Sequence, residues 1–178
     1  IFKGTGRFCK IMVELIITEK PNAAKKIAEA LADGKATKQG MGAPYYTLKH
    51  KGKDIIVTCA VGHLYGLAEK VKTKGFQYPV FDIQWVPTSD ISRGAAFSKK
   101  YLDEIKSLAK TADTFTVATD YDVEGEVIGL NIVKYACKQK DAHRMKFSTL
   151  TKEDLLEAYA KALPHLDWPQ AEAGETRH

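Results

Sequence analysis

A chain of 178 residues, 44% hydrophobic and 28% charged, is long enough to bury a core in one domain without disulfides or a structural metal. No apolar run approaches the roughly 20 residues of a membrane helix, and Cys9, Cys59 and Cys137 lack the CxxC spacing or histidine partners of a zinc cluster, which fits reduced thiols in a cytoplasmic protein. The net charge of +5 favours an anionic partner only weakly, because Lys3, Arg7 and Lys10 supply three of those charges within an acid-free stretch, residues 1–11.

Residues 1–11 show no clear period and read as a leader or upstream extension before Met12. Val13–Thr18 is a short β-branched apolar run and predicts a buried strand. Pro21 suits the first turn of a helix, where its missing N–H is not needed, and Ala24, Ile27, Ala28 and Leu31 give that helix one apolar stripe, stopping near Gly34. Tyr45–Lys49 and Asp54–Ala60 read as strands around a turn at Lys51-Gly52-Lys53. Gly62-His63-Leu64-Tyr65-Gly66 reads as a glycine-flanked loop, and residues 70–97 as a loop-rich cover.

Tyr101, Leu102, Ile105, Leu108 and Ala109 mark a further helix, and Thr114–Thr119 a second buried strand. Val127 to Ala136 is apolar nearly all round, so its helix should be well buried. Met145–Phe147 predicts a short strand, and Thr151-Lys152-Glu153-Asp154 resembles a capping box that starts a helix to about Leu163. Pro164 and Pro169 are expected to break the chain beyond that helix, and Ala171–His178 reads as the start of another helix in a chain that is a piece of something larger. Strands alternating with helices imply a parallel α/β sheet.

The chemistry gathers in Asp120-Tyr121-Asp122-Val123-Glu124-Gly125-Glu126, directly after the second buried strand. In a parallel sheet, ligand sites collect at the carboxyl ends of strands. Asp120 and Asp122 are two apart and share one side of an extended segment. Carboxylates held this way suit magnesium, which takes oxygen ligands and keeps several waters. A solvated acidic turn that stabilises the following helix dipole is the competing explanation. Glu19 shifts the balance towards a site. It ends the first strand, and if the two strands are neighbours the carboxylates converge, an arrangement costly without a cation.

Strand-Glu19-Lys20-Pro21, then Gly62-His63-Leu64, then Ala118-Thr119 with the acidic run resembles the toprim domain of type IA DNA topoisomerases, in the form of the topoisomerase III and archaeal branch. The closing Ala173-Gly174-Glu175-Thr176-Arg177-His178 is similar to the family's segment leading out of that domain. The resemblance spans about Met12 to His178. It implies a Rossmann-like parallel sheet flanked by helices with a loop or hairpin insertion, a toprim domain over 12–164, and the start of a linker over 165–178. It also implies Mg²⁺ held by Asp120, Asp122, Glu124 and Glu19. Glu19 would act as general acid/base and Lys20 beside the scissile phosphate, while His63, Arg144 and Arg177 would contact nucleic acid. The partners implied are a single-stranded DNA segment and the remaining domains of the same enzyme, in a cytoplasmic, nucleoid-associated setting. The family's nucleophilic tyrosine lies in a later domain, and no tyrosine here matches its motif, so this chain alone is expected to be inactive. A toprim domain of a primase or nuclease, or a non-catalytic nucleic-acid-binding module, remains the alternative. For Arg144 and Arg177 a salt-bridged or solvated role competes with DNA contact.

Overall fold

The computed structural model describes residues 12–70 and 82–177, so the expected leader at 1–11, residues 71–81 of the loop-rich cover and His178 lie outside the described residues. Val13–Thr18 forms β1, an inner strand of a six-stranded sheet. Its apolar side chains alternate between the two faces, as strand geometry requires. Leu15 and Ile17 enter one core and Ile16 the other, all fully buried. Pro21–Leu31 forms helix α1 with Pro21 in its first turn. It packs against the Ile16 face together with α5 (Lys152–Ala160). Helices α3 (Ser98–Ala109) and α4 (Val123–Asn131) cover the opposite face.

Three-residue β2 (Thr37–Gln39), β3 (Tyr45–His50) and β4 (Lys53–Cys59) follow α1 in chain order. Further strands are β7 (Thr114–Ala118) and β8 (His143–Arg144), and the sheet order is β2-β3-β4-β1-β7-β8. Strands β4, β1, β7 and β8 are mutually parallel, and β2 and β3 add an antiparallel edge. Thr18 pairs with Cys59 on one side and Ala118 on the other, so three adjacent strands end level with one another. The expected α/β architecture is therefore present, and β1 and β7 are neighbours.

Several boundaries differ from the sequence reading. The stretch after His63 is not all loop: Tyr65–Glu69 forms β5, paired antiparallel with β6 (Ile83–Pro87) as a separate two-stranded sheet, and the short helix α2 (Thr88–Ile91) comes next. The last strand is His143–Arg144 rather than Met145–Phe147, although the Met145 N–H still donates to Val117 O at 2.9 Å. The long buried helix changes to a π-helical turn over Ile132–Ala136. Pro169 does not break the chain. It lies in the first turn of α6 (Trp168–Arg177), where a proline costs no hydrogen bond. Helix α6 packs on α4, with Leu166 and Ala171 fully buried in the shared core. Among the described residues no helix is long and apolar enough to cross a membrane.

Candidate metal and phosphate site

The carboxyl ends of β4, β1 and β7 each deliver part of the site. After β4 the chain turns through Val61 and Gly62, both in the left-handed region at φ 52° and 92°, and presents His63. The Ala60 N–H donates to Thr18 O at 2.8 Å, which carries this loop along the end of β1. Strand β1 runs into Glu19 and Lys20, and β7 into Asp120.

The acidic loop has a tightly specified backbone. Asp122 is the N-cap of α4, accepting from the Gly125 N–H at 2.7 Å. Thr119 Oγ1 donates to Gly125 O at 2.7 Å. Gly125 is required by proximity: a Cβ there would lie 2.2 Å from Asp120 O. Beneath the loop sits Arg144, with no exposed surface. Its Nε donates to Glu126 Oε2 at 2.7 Å, Nη1 to Thr119 O at 3.0 Å and Met145 O at 2.8 Å, and Nη2 to Asp120 O at 2.9 Å. The other oxygen of Glu126, also fully buried, accepts from the Asp167 N–H at 2.9 Å. This corrects the expectation that Arg144 meets nucleic acid. Every nitrogen of its guanidinium is engaged inside the protein, and its work is to hold the carbonyls on which Asp120 is mounted.

Glu19 and Asp120 face each other across the strand ends, with the Lys20 ammonium in contact with Asp120 and 3.7 Å from Glu19 Oε1. Burial raises the pKa of the Glu19 carboxyl above its ordinary value; the negative charges of Asp120 and Asp122 push the same way, against the opposing pull of Lys20. Lys20 is itself held protonated, chiefly by its hydrogen bond to Asp120. Glu124 turns the other way. Its two oxygens lie 3.2 Å from His63 Nε2 and 3.7 Å from Arg177 Nη1. The predicted residues thus fall into two adjoining groups, Glu19-Lys20-Asp120 and His63-Glu124-Arg177, with Asp122 between them in sequence and fixed by its cap. Among the described residues no three acidic, histidine or cysteine side chains are already grouped as a closed metal cage.

Sequence reasoning passed over the support of this loop. Lys146 Nζ lies 2.6 Å from Asp167 Oδ2 and 4.4 Å from the ring centroid of Tyr121. Glu126, Arg144, Lys146 and Asp167 together connect α4, β8 and the chain entering α6. The trace of it in the sequence was Glu126, the last of the four alternating acids.

Residues 14–150 match the toprim domain family. The chain is 49% identical over 170 residues to DNA topoisomerase 1 of Methanocaldococcus jannaschii, covering 95% of this chain and 22% of that protein. It is 48% identical over 167 residues to DNA topoisomerase 1 of Pyrococcus horikoshii, covering 92% and 24%. Full-length topoisomerase I from Thermotoga maritima shares the fold, with a TM-score of 0.57 and 20% identity, over 89% of this chain and 22% of that one. The chain therefore spans less than a quarter of the length of these relatives.

Proposed function

Because this chain belongs to the toprim family, we propose that it is the metal-binding and proton-transferring part of a type IA DNA topoisomerase, which cuts and reseals one DNA strand through a tyrosine supplied by another domain. The observation that carries this reading is the meeting of Glu19 and Lys20 with Asp120 at the ends of two adjacent parallel strands. The names of the curated relatives, DNA topoisomerase 1, support the same reaction class.

The donor chemistry fits Mg²⁺. The candidate ligands are carboxylate oxygens, and an open half-site is what a cation held by one or two carboxylates, waters and substrate phosphate needs. Asp120 and Asp122 would hold it, the latter through the oxygen not used in the cap, with Glu124 and Glu19 alongside. When bound, the ion would supply positive charge against phosphate oxygens.

The remaining roles belong to the side chains. Glu19 keeps its proton more readily than an ordinary carboxyl. It would give that proton to the 3′ oxygen as the P–O bond to that oxygen breaks, and take it back on resealing. Lys20 is exposed beside Asp120, so its ammonium would meet the charge that gathers on the phosphate during transfer. His63 and Arg177, beside Glu124, would contact the strand; Arg177 is 70% exposed, which leaves its guanidinium open to a phosphate.

The test is direct. The purified 178-residue chain, given Mg²⁺ and negatively supercoiled plasmid, is expected to produce neither relaxed circles nor a covalent protein–DNA adduct. A longer protein that adds the tyrosine-bearing domain is expected to do both, and to lose both with Glu19→Gln. Robust relaxation by the chain alone would contradict the division of labour.

A further inference from the structure

A cavity of about 480 Å³ opens beside the acidic loop, between the start of α1 and the segment 147–150. Its size falls in the range of roughly 300–1,000 Å³ typical of small-molecule sites. Its wall combines Lys20, Asn22, Tyr121, Phe147, Ser148 and Thr149. We propose that this cavity is a nucleotide subsite, receiving one unpaired nucleotide of a DNA strand next to the reacting phosphate, with its base against the Tyr121 ring. The inference rests on the proposed function and extends it to a residue outside the acid, base and metal set.

The wall combines two kinds of chemistry. One is the Lys20 ammonium with the first turn of α1, which has no side-chain cap and no acidic residue. A helix start and a cation together favour a phosphate. The other is a pair of aromatic rings, Tyr121 and Phe147. Tyr121 is 53% exposed, yet its ring is held by Lys146, whose ammonium lies 4.4 Å from the ring centroid. Lys146 is in turn fixed by Asp167 at 2.6 Å. An exposed ring held in place at low entropy is a stacking platform, and bases stack on such rings whatever their sequence.

The hydroxyl-bearing wall is equally pre-set. The N–H groups of Ser148 and Thr149 donate to Asp154 Oδ2 at 3.2 and 2.6 Å, which ties the segment to the first turn of α5. The Ser148 hydroxyl and the Asn22 amide supply donors and acceptors for a sugar or a base edge. A paired base is already stacked between its neighbours and its Watson–Crick edge is occupied, so the cavity suits single-stranded DNA. Asp120 borders both the cavity and the Glu19–Lys20 pair, so a nucleotide seated here places its phosphate at the reacting centre.

Fluorescence anisotropy with fluorescein-labelled oligo(dT) tests the proposal on the chain as it stands, with circular dichroism confirming the fold of each variant. Tyr121→Ala is expected to weaken binding roughly tenfold, the scale of one lost base–aromatic stack. Tyr121→Phe is expected to bind as the unaltered protein does. An abasic oligomer of the same length is expected to bind weakly and without regard to residue 121. If the chain binds oligo(dT) but Tyr121→Ala and Phe147→Ala bind equally well, the subsite is overturned and the topoisomerase reading stands. If the unaltered chain does not bind oligo(dT) at all, the subsite is overturned, while the topoisomerase reading is decided separately by relaxation and adduct formation in the longer protein and its Glu19→Gln variant.

Discussion

Arg144 and Glu126 form an ion pair with no exposed surface on either side chain, and each also holds backbone groups. Removing one partner of such a pair leaves a buried charge uncompensated, which costs about 3–5 kcal/mol. Arg144→Met is therefore expected to lower the denaturant midpoint sharply, and Arg144→Met with Glu126→Leu to recover part of the loss. A fall of less than about 1 kcal/mol in the single variant would show that the pair is not what holds the acidic loop. This residue also marks a limit of the sequence. That Glu19 would meet Asp120 was legible because each follows a buried strand, whereas Lys20 came only with the resemblance to toprim domains. The burial of Arg144 was not legible, since an isolated arginine carries no local sign of the carboxylate that awaits it 18 positions earlier.

The thiols make a second prediction at this scale. Burial pushes Cys59 up to about 11 and Cys137 up to about 12. Both should be inert to a disulfide reagent at neutral pH until the protein unfolds, because the thiolate is the reactive form. In a Cys9→Ser background, prompt reaction of the native chain would contradict this. The same shifts affect stability. The unfolded thiol ionises near its ordinary value, about 8.5, while the folded Cys59 stays protonated to about 11. Protonation then favours the folded state, so the contribution is intact at neutral pH and is lost as pH climbs from about 9 to 11.

At the scale of elements, close backbone approach decides where α6 sits. A Cβ at Gly174 would lie 2.2 Å from Val127 Cγ2 and 3.1 Å from Val123 O on α4. Gly174→Ala is expected to destabilise by about 1–3 kcal/mol despite alanine's better helix propensity, because it overpacks a filled contact. Gly34→Ala, with nothing within 4 Å, should change stability by less than about 0.5 kcal/mol. Thermal melts of the two variants compare them, and equal melting temperatures would mean that α6 is not seated against α4 through Gly174. Strands β1, β4 and β7 and helices α1 and α4 were readable because each carries its own apolar pattern. Three-residue β2 is exposed throughout and has no such pattern. Strand β5 contains Gly66 and becomes a strand only by pairing with β6, far along the chain, a non-local effect that period analysis does not register.

At the scale of the whole molecule, one end of the sheet gathers the candidate site and the rest supports it. Three parallel strands finish level, their loops bring His63, Glu19, Lys20 and the acidic run to one mouth, and the network from Glu126 to Lys146 supports that mouth from below. The topology was implied by alternating strands and helices, and by the resemblance to toprim domains. The partition of the acids into two groups was not, because side-chain direction depends on partners: Glu124 is drawn to His63 and Arg177, and Glu126 to Arg144.

In the proposed function, Asp120 and Asp122 hold a divalent cation beside Glu19. A Mg²⁺ titration of the isotope-labelled chain, followed by amide NMR shifts in the presence of a short single-stranded oligonucleotide, tests it most directly. Saturable shifts at residues 19–20 and 120–126, abolished in the Asp120→Asn, Asp122→Asn double variant, are the expected result. Unchanged Mg²⁺ binding in that variant, or shifts confined to other parts of the chain, would contradict it.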